Sequence, residues 1–180
     1  MAKLELLAPA GNIERLKAAV RYGADAVYVG STAFSLRNLA DNFAPEELGE
    51  AMEACPGTRF VLCHLAYPRP LDTAGGREKW ERMADLAKLP NCWLDVSAMP
   101  DFFGEEGWPY PTALALLRRV RDRVGIRKLI WGSDIPGTLC SAAYPQMMEM
   151  FRRADLTPAE LEALFCRNAP EAYTLPAGKG

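Results

Sequence analysis

Short apolar runs alternate with amphipathic segments along this chain. Runs rich in Val, Leu, Ile and aromatic residues predict five β-strands, at residues 4–10, 25–30, 59–65, 92–98 and 128–134. The segments between and after them carry apolar residues at helical spacing and predict helices at residues 13–22, 44–55, 77–89, 111–125, 144–154 and 157–165. This alternation predicts an α/β fold of five parallel βα units with right-handed crossovers.

The carboxyl ends of the predicted strands hold the candidate functional residues, because ligands bind at those ends in parallel α/β folds. They carry Pro9–Gly11, Gly30–Ser31, His64, Asp95–Ser97 and Ser133–Asp134. His64 is the single histidine of the chain. A histidine at the mouth of a strand suits proton transfer or a metal.

Strand alternation predicts which of these side chains share a face. It groups Phe60, Leu62 and His64 on the third strand, Trp93, Asp95 and Ser97 on the fourth, and Ile130, Gly132 and Asp134 on the fifth. If the three faces coincide, His64 and Asp134 meet at one rim and Gly132 leaves room for them. Asp95 then needs a partner for its buried carboxylate. The large apolar residues of that face would form a sticky patch if exposed.

Composition restricts the partners and the location. The chain has 180 residues, enough for one domain, with a net charge of -2. This charge gives no footprint for nucleic acid or an anionic membrane, and the basic run 118–128 is typical of a solvated helix face. No apolar run approaches a membrane span, and five cysteines without a C-x-x-C pair favour free thiols. We therefore expect a cytoplasmic protein, with a small-molecule substrate if it is active.

The opening of the chain resembles the collagenase-like peptidases, a family of barrel proteins. The matching stretches within residues 4–54 are "LLAPAGN", "YGADAVYVG" and "FSLR…NF". The glycine- and cysteine-bearing signature of that family, which lies further along the barrel, is absent from this sequence. The resemblance therefore implies a fold for this segment and transfers no peptidase site.

The remainder, residues 56–175, resembles the C-terminal part of the amidohydrolase-related family, which includes aminocarboxymuconate-semialdehyde decarboxylase. "PGTRFVLCHLAYP", "PNCWLDVSAMP" and "KLIWGSDIPG" are similar to its sixth, seventh and eighth barrel strands, and "CRNAPEAYTL" to its closing helix. The two resemblances meet near 53–56. They imply a chimera-like single domain of residues 1–180, with units 1–55 and 56–176. Its five units derive from (β/α)8 TIM barrels, as an incomplete barrel or an open doubly wound sheet.

The second resemblance implies a divalent metal, zinc or manganese, at the strand ends. His64 corresponds to the sixth-strand histidine that helps to activate water or substrate, and Asp134 to the last-strand aspartate that binds the metal. The family's first- and fifth-strand histidines have no counterpart here. A catalytic zinc needs about three protein ligands, so we expect an incomplete metal site held by His64 and Asp134.

Three functions remain open from the sequence. The chain is a metal-dependent hydrolase or decarboxylase fragment with His64 and Asp134 as its catalytic residues, a non-enzymatic remnant or chimeric scaffold, or a peptidase-related protein. Five units leave strand edges without a neighbour, so a homo-oligomer through exposed sheet edges is a further expectation.

Overall fold

A computed structural model describes residues 6–28, 43–68, 71 and 73–173. The chain divides into two compact units, residues 1–58 and 59–180. This boundary lies a few residues after the join at 53–56. The expectation that both units form a single domain stays a prediction.

The first unit contains a two-stranded parallel sheet and two helices. Its elements are β1 (Leu7–Pro9), α1 (Ile13–Arg21), β2 (Ala26–Tyr28) and α2 (Pro45–Ala54). Asn12 caps α1, because its side chain accepts a hydrogen bond from the Arg15 N–H. Leu16, Ala51 and Met52 are fully buried in this unit.

The second unit is built on a three-stranded parallel sheet in the order β3-β4-β5. Its strands are β3 (Phe60–Leu62), β4 (Cys92–Val96) and β5 (Leu129–Trp131). Its helices are α3 (Ala74–Asp85), α4 (Met99–Phe103), α5 (Pro111–Val124), α6 (Tyr144–Arg152), α7 (Pro158–Glu162) and α8 (Asn168–Tyr173), with a π-helical turn at Ala163–Arg167. The predicted parallel α/β pairing is confirmed in both sheets. The described strands form two sheets, and a continuous five-stranded sheet or partial barrel stays a prediction.

Four of the strands, β1, β3, β4 and β5, end earlier than the apolar pattern predicts, β3 and β5 by three residues. The runs at 59–65 and 128–134 stop pairing in the sheet after Leu62 and Trp131, although Cys63 is still extended. The reason is a backbone φ of +55° at His64 and +54° at Asp134, which no strand accommodates. Helix α4 lies in a Gly/Pro/aromatic segment that the pattern assigned to a loop.

The expected shared face of Phe60, Leu62, Trp93 and Ile130 is wrong. The register pairs Phe60 with Cys92 and Leu62 with Leu94, and neighbours in register point to the same side of a parallel sheet. Phe60 and Leu62 therefore lie on the face opposite to Trp93. All four side chains are buried, so the sticky apolar patch that the sequence suggested is not formed by them.

Helix α8 covers the Trp93 face of the sheet. Ala172 packs with Trp93 and Ile130, and Val61 and Ala169 flank this cluster. The buried amide of Asn168 donates two hydrogen bonds of 2.7 Å, to the carbonyls of Ile126 and Leu129 at the start of β5. One side chain thus fixes the closing helix to the sheet.

Lys128 ties the amino ends of the strands together. Its Nζ donates to the carbonyl oxygens of Leu89, Pro90 and Cys92 at 2.8, 3.0 and 3.1 Å, and it lies 4.7 Å from the centre of the Trp93 ring. Burial lowers the pKa of this ammonium group. The candidate functional residues lie at the opposite, carboxyl end of the sheet.

The bidentate pair of Arg123 and Asp85 joins α5 to α3, with both contacts at 2.6 Å.

In the described part of the chain no helix is long and apolar enough to cross a membrane. All five cysteines are free thiols, and Cys92 is buried. The cytoplasmic location stays an expectation.

We expect Asn168→Leu to lower the free energy of unfolding by about 1–3 kcal/mol, since it leaves two carbonyls without their donor. Glu171→Gln, in the same helix, removes only an exposed ion pair with Arg127 and should cost less than about 1 kcal/mol. Urea denaturation followed by circular dichroism measures both. Equal costs for the two variants would contradict the role of Asn168.

Candidate active site at the strand ends

Left-handed backbone gathers at the carboxyl ends of all three strands of the second unit. After β3 the residues from His64 to Tyr67 have φ between +52° and +56°, after β4 Ala98 has +55°, and after β5 Asp134 has +54°. A left-handed conformation costs a non-glycine residue roughly 1–2 kcal/mol. Such strain persists where the surrounding structure enforces it and is concentrated at functional sites.

The left-handed turn brings the His64 ring to β4. Nδ1 of His64 and Oγ of Ser97 share a hydrogen bond of 2.8 Å. Ser97 is 3% exposed, and His64 is half-buried with its ring 6.4 Å from that of Phe102. The sequence named His64 and placed Ser97 beside Asp95, but it did not predict their pairing. Strand alternation gives no register between β3 and β4, so the signal was incomplete.

Asp95 lies two residues before Ser97, and its buried carboxyl has the most perturbed environment of the three groups at the site. Its Oδ1 is buried and accepts no hydrogen bond from any residue that the structure describes. Burial raises the pKa of this carboxyl to about 6, Ser97 hydrogen bonding and the charge of His64 lower it, and Asp134 raises it. The charges of His64 and Asp134 therefore both affect the pKa of Asp95, in opposite directions. The partner that the sequence required for Asp95 is missing at one of its two oxygens.

Gly132 makes room for Asp95. A Cβ at position 132 would lie 2.5 Å from Asp95 Oδ1 and 3.1 Å from its Cγ. The prediction that Gly132 leaves space at the rim thus applies to Asp95, its neighbour in the sheet. The carboxylate occupies the space that a side chain at 132 would need.

Asp134 is exposed on the loop after β5. Its carbonyl accepts from the Thr138 N–H at 3.1 Å, while its side chain makes no hydrogen bond or ion pair with His64 among the contacts of the described residues. The structure therefore brings His64, Ser97 and Asp95 together, and links Asp134 to them through charge.

Cys63 and Tyr173 add two neutral groups to the same surroundings. Burial, then Asp95 and Asp134, raise the pKa of the Cys63 thiol to about 11. Burial, then Asp95 and Cys63, raise the pKa of Tyr173 to about 12. Both groups are thus protonated near pH 7 beside the carboxylates. The sequence contains no signal for Cys63, because its nearness to Asp95 depends on the register between β3 and β4.

A sequence model of the family described as amidohydrolase matches residues 14–175, nearly the whole chain. The chain belongs to the amidohydrolase family. The match runs across the join at 53–56, and the chimeric origin of this amidohydrolase stays a prediction.

Curated relatives match shorter stretches of this amidohydrolase. The tRNA hydroxylation protein P1 of Bacillus subtilis (strain 168) is 61% identical over 51 residues, 28% of this chain and 12% of that protein. A collagenase of Porphyromonas gingivalis is 42% identical over 52 residues, 28% of this chain and 13% of its own. These matches agree with the collagenase-like resemblance. The L-fucono-1,5-lactonase of Burkholderia ambifaria is 36% identical over 85 residues, 45% of this chain and 27% of that enzyme.

Solved structures show the same fold. An amidohydrolase from Burkholderia multivorans with bound zinc has a TM-score of 0.64 at 19% identity, over 91% of this chain and 57% of that one. A probable 2-pyrone-4,6-dicarboxylic acid hydrolase from Acinetobacter baumannii has a TM-score of 0.58 at 15% identity, over 91% of this chain and 69% of that one. This chain spans about half of the zinc-bound neighbour's length.

The donor side chains among the described residues do not fit a catalytic metal. Among the described residues no group of three His, Cys, Asp or Glu side chains is arranged to hold an ion. The Cys63 proton is held tightly, Nδ1 of His64 is engaged by Ser97, and the space beside Gly132 is filled by Asp95. About three protein ligands are needed for zinc. The assignment of His64 and Asp134 as metal ligands stays a prediction.

We expect Gly132→Ala to destabilise the fold by about 1–3 kcal/mol, because the new methyl group overpacks against Asp95. Gly75→Ala is the control, since nothing lies within 4 Å of its Cβ position and alanine favours the helix by up to about 1 kcal/mol. Thermal unfolding of both variants gives the comparison. In an Asp95→Ala background the cost of Gly132→Ala should fall, and an unchanged cost would show that another contact is responsible.

Asp95→Asn should stabilise the chain in a pH-dependent way. The folded-state pKa of about 6 exceeds the ordinary value near 4, so the folded chain binds this proton more readily than the unfolded chain does. That contribution to stability is complete below about pH 4 and is lost as pH rises through 6. Asparagine copies the neutral carboxyl, so we expect a gain of about 3 kcal/mol at pH 8 and little change at pH 4.

Denaturant titrations at the two pH values test this, with the exposed Asp122→Asn as control. A gain of equal size at both pH values would show that the effect does not come from the charge of Asp95.

Proposed function

We propose that this amidohydrolase-family chain hydrolyses a lactone or related ester, with His64 as its general base. The observation that carries the proposal is the 2.8 Å hydrogen bond between His64 Nδ1 and Ser97 Oγ, beside the buried carboxyl of Asp95. This hydrogen bond at Nδ1 fixes the orientation of the His64 ring. When Nδ1 carries the proton, Nε2 is the basic nitrogen that can receive one.

Each group then has a defined task. Nε2 of His64 takes a proton from the water that attacks the carbonyl carbon, and returns it to the leaving oxygen when the ester C–O bond breaks. From a lactone the product is a hydroxy acid. Asp95, ionised above about pH 6, stabilises the positive imidazolium between the two transfers. A positioned base of this kind accelerates a reaction by about 10²–10⁴-fold.

Asp134 has a secondary place in this proposal. Its charge acts on Asp95, and its exposed position at the rim suits contact with the hydroxyl groups of a sugar lactone. As the family's last-strand aspartate it is also the metal ligand that the resemblance implies. We assign no step to a metal, because the described donors do not form a complete set.

The substrate class is supported by the L-fucono-1,5-lactonase relative, which shares 36% identity over 85 residues. The second candidate is a non-enzymatic remnant of the family. It is favoured by the lack of a three-ligand group among the described residues. One assay separates the two candidates.

The purified chain, freed of metal by a chelator, is assayed for acid release from L-fucono-1,5-lactone and a panel of sugar lactones. We expect hydrolysis that His64→Ala lowers by about 10²-fold or more. The same variant should change the free energy of unfolding by less than about 2 kcal/mol, as for an ordinary half-buried polar residue.

Activity that appears only with added zinc or manganese would contradict the proposal that His64 acts as a base without a metal. It would support the metal site that the resemblance implies. No hydrolysis under either condition would favour the remnant. A loss of stability in His64→Ala that added metal modulates would also show a functioning metal site.

A further inference from the structure

His64 begins a turn of four consecutive left-handed residues. Their φ angles are +55°, +52°, +56° and +56° from His64 to Tyr67. None of the four is glycine, although glycine alone adopts this region freely. An isolated chain would leave this conformation, so contacts elsewhere in the fold must hold it.

Trp80 supplies the buried contact to this turn. Its indole Nε1 donates to the carbonyl oxygen of Leu65 at 2.8 Å. Trp80 is 1% exposed and Leu65 is 0% exposed. Solvent does not compete for this hydrogen bond, and helix α3 thereby fixes the peptide that joins Leu65 to Ala66, one residue after His64.

The turn determines which face of the sheet His64 reaches. The register pairs Leu62 with Leu94, so a β3 strand extended to position 64 would point His64 to the side of Leu94 and Val96. Asp95 and Ser97 lie on the other side. The left-handed turn ends the alternation and brings the ring of His64 to Ser97.

We infer that Trp80 is a positioning residue for His64, acting through the left-handed turn that its indole N–H holds. This inference rests on the proposed function only for its effect on rate. Trp80 touches no reacting atom, and its task is to keep Nδ1 of His64 on Ser97 so that Nε2 is presented to the substrate.

The single histidine makes a direct test practical. The ring of His64 is labelled with ¹⁵N and ¹³C, and its chemical shifts report the tautomer and the Ser97 hydrogen bond at fixed pH. Trp80→Phe keeps a large aromatic ring and removes the N–H. Trp93→Phe is the matched control, because the Trp93 indole N–H is buried without a hydrogen-bond partner.

We expect the His64 shifts in Trp80→Phe to move towards those of Ser97→Ala, in which the bond is lost. Trp93→Phe should keep the wild-type shifts. For lactone hydrolysis, kcat should fall by about 10-fold or more in Trp80→Phe while KM stays within about twofold, as when only transition-state geometry is lost. Wild-type shifts in Trp80→Phe, or equal changes in Trp93→Phe, would overturn the inference.

A second pair of variants covers the case that Trp80→Phe does not fold. Tyr67→Asn and Tyr67→Val both remove the ring contact with Phe102, whose ring centre lies 4.9 Å away. Asparagine tolerates the left-handed region and a β-branched residue does not. We expect wild-type His64 shifts for Tyr67→Asn and altered shifts for Tyr67→Val, and equal shifts in both would overturn the role of the turn.

The shifts and the rates separate the two proposals. If the shifts behave as expected and no lactone is hydrolysed, the positioning role stands and the proposed function fails. If lactone is hydrolysed and Trp80→Phe leaves the shifts unchanged, the proposed function stands and the positioning role fails.

Discussion

The left-handed backbone that follows β3 is the constraint on which the candidate site depends. It turns His64 away from the side that strand alternation would give it and towards Ser97. Without that turn, the histidine and the carboxylate of Asp95 would lie on opposite faces of the same sheet. Buried hydrogen bonding from Trp80 and the burial of Leu65 offset the conformational cost.

The two ends of the three-stranded sheet have opposite characters. At the amino end, Lys128 satisfies three carbonyl oxygens and Asn168 two more, so polar groups there are closely paired. At the carboxyl end, Asp95 retains an oxygen without a partner and three strand ends adopt left-handed geometry. Stability is concentrated at one end and strain at the other, as expected for an α/β fold that places its chemistry at the strand C-termini.

Membership of the amidohydrolase family and the geometry of the described residues lead to different views of the metal. The resemblance of residues 56–175 implies a metal centre, and the structural neighbour from Burkholderia multivorans holds zinc. The described side chains instead bring together one histidine, one serine and one buried carboxyl, and the proposed function assigns proton transfer to them. Such a group has chemistry of its own, because an imidazole held through one nitrogen can accept a proton at the other.

The sequence by itself determined the class of the fold and the order of its elements. Apolar runs and helical spacing depend on local chemistry, so they located all five strands, although they placed the ends of β3, β4 and β5 two or three residues too late. The motifs of the strands and of the closing helix also indicated the family that the whole-chain match shows.

Tertiary structure decided what meets at the site. The register between β3 and β4 depends on packing between distant segments, and it separated Phe60 and Leu62 from Trp93, against the alternation argument. The sequence contains no signal for a positive φ at non-glycine residues, because contacts with the surrounding structure are what stabilise this conformation. For this reason the sequence could predict His64 and Asp134 as candidate site residues. Only the fold showed that Ser97 and Asp95 are the groups beside the histidine.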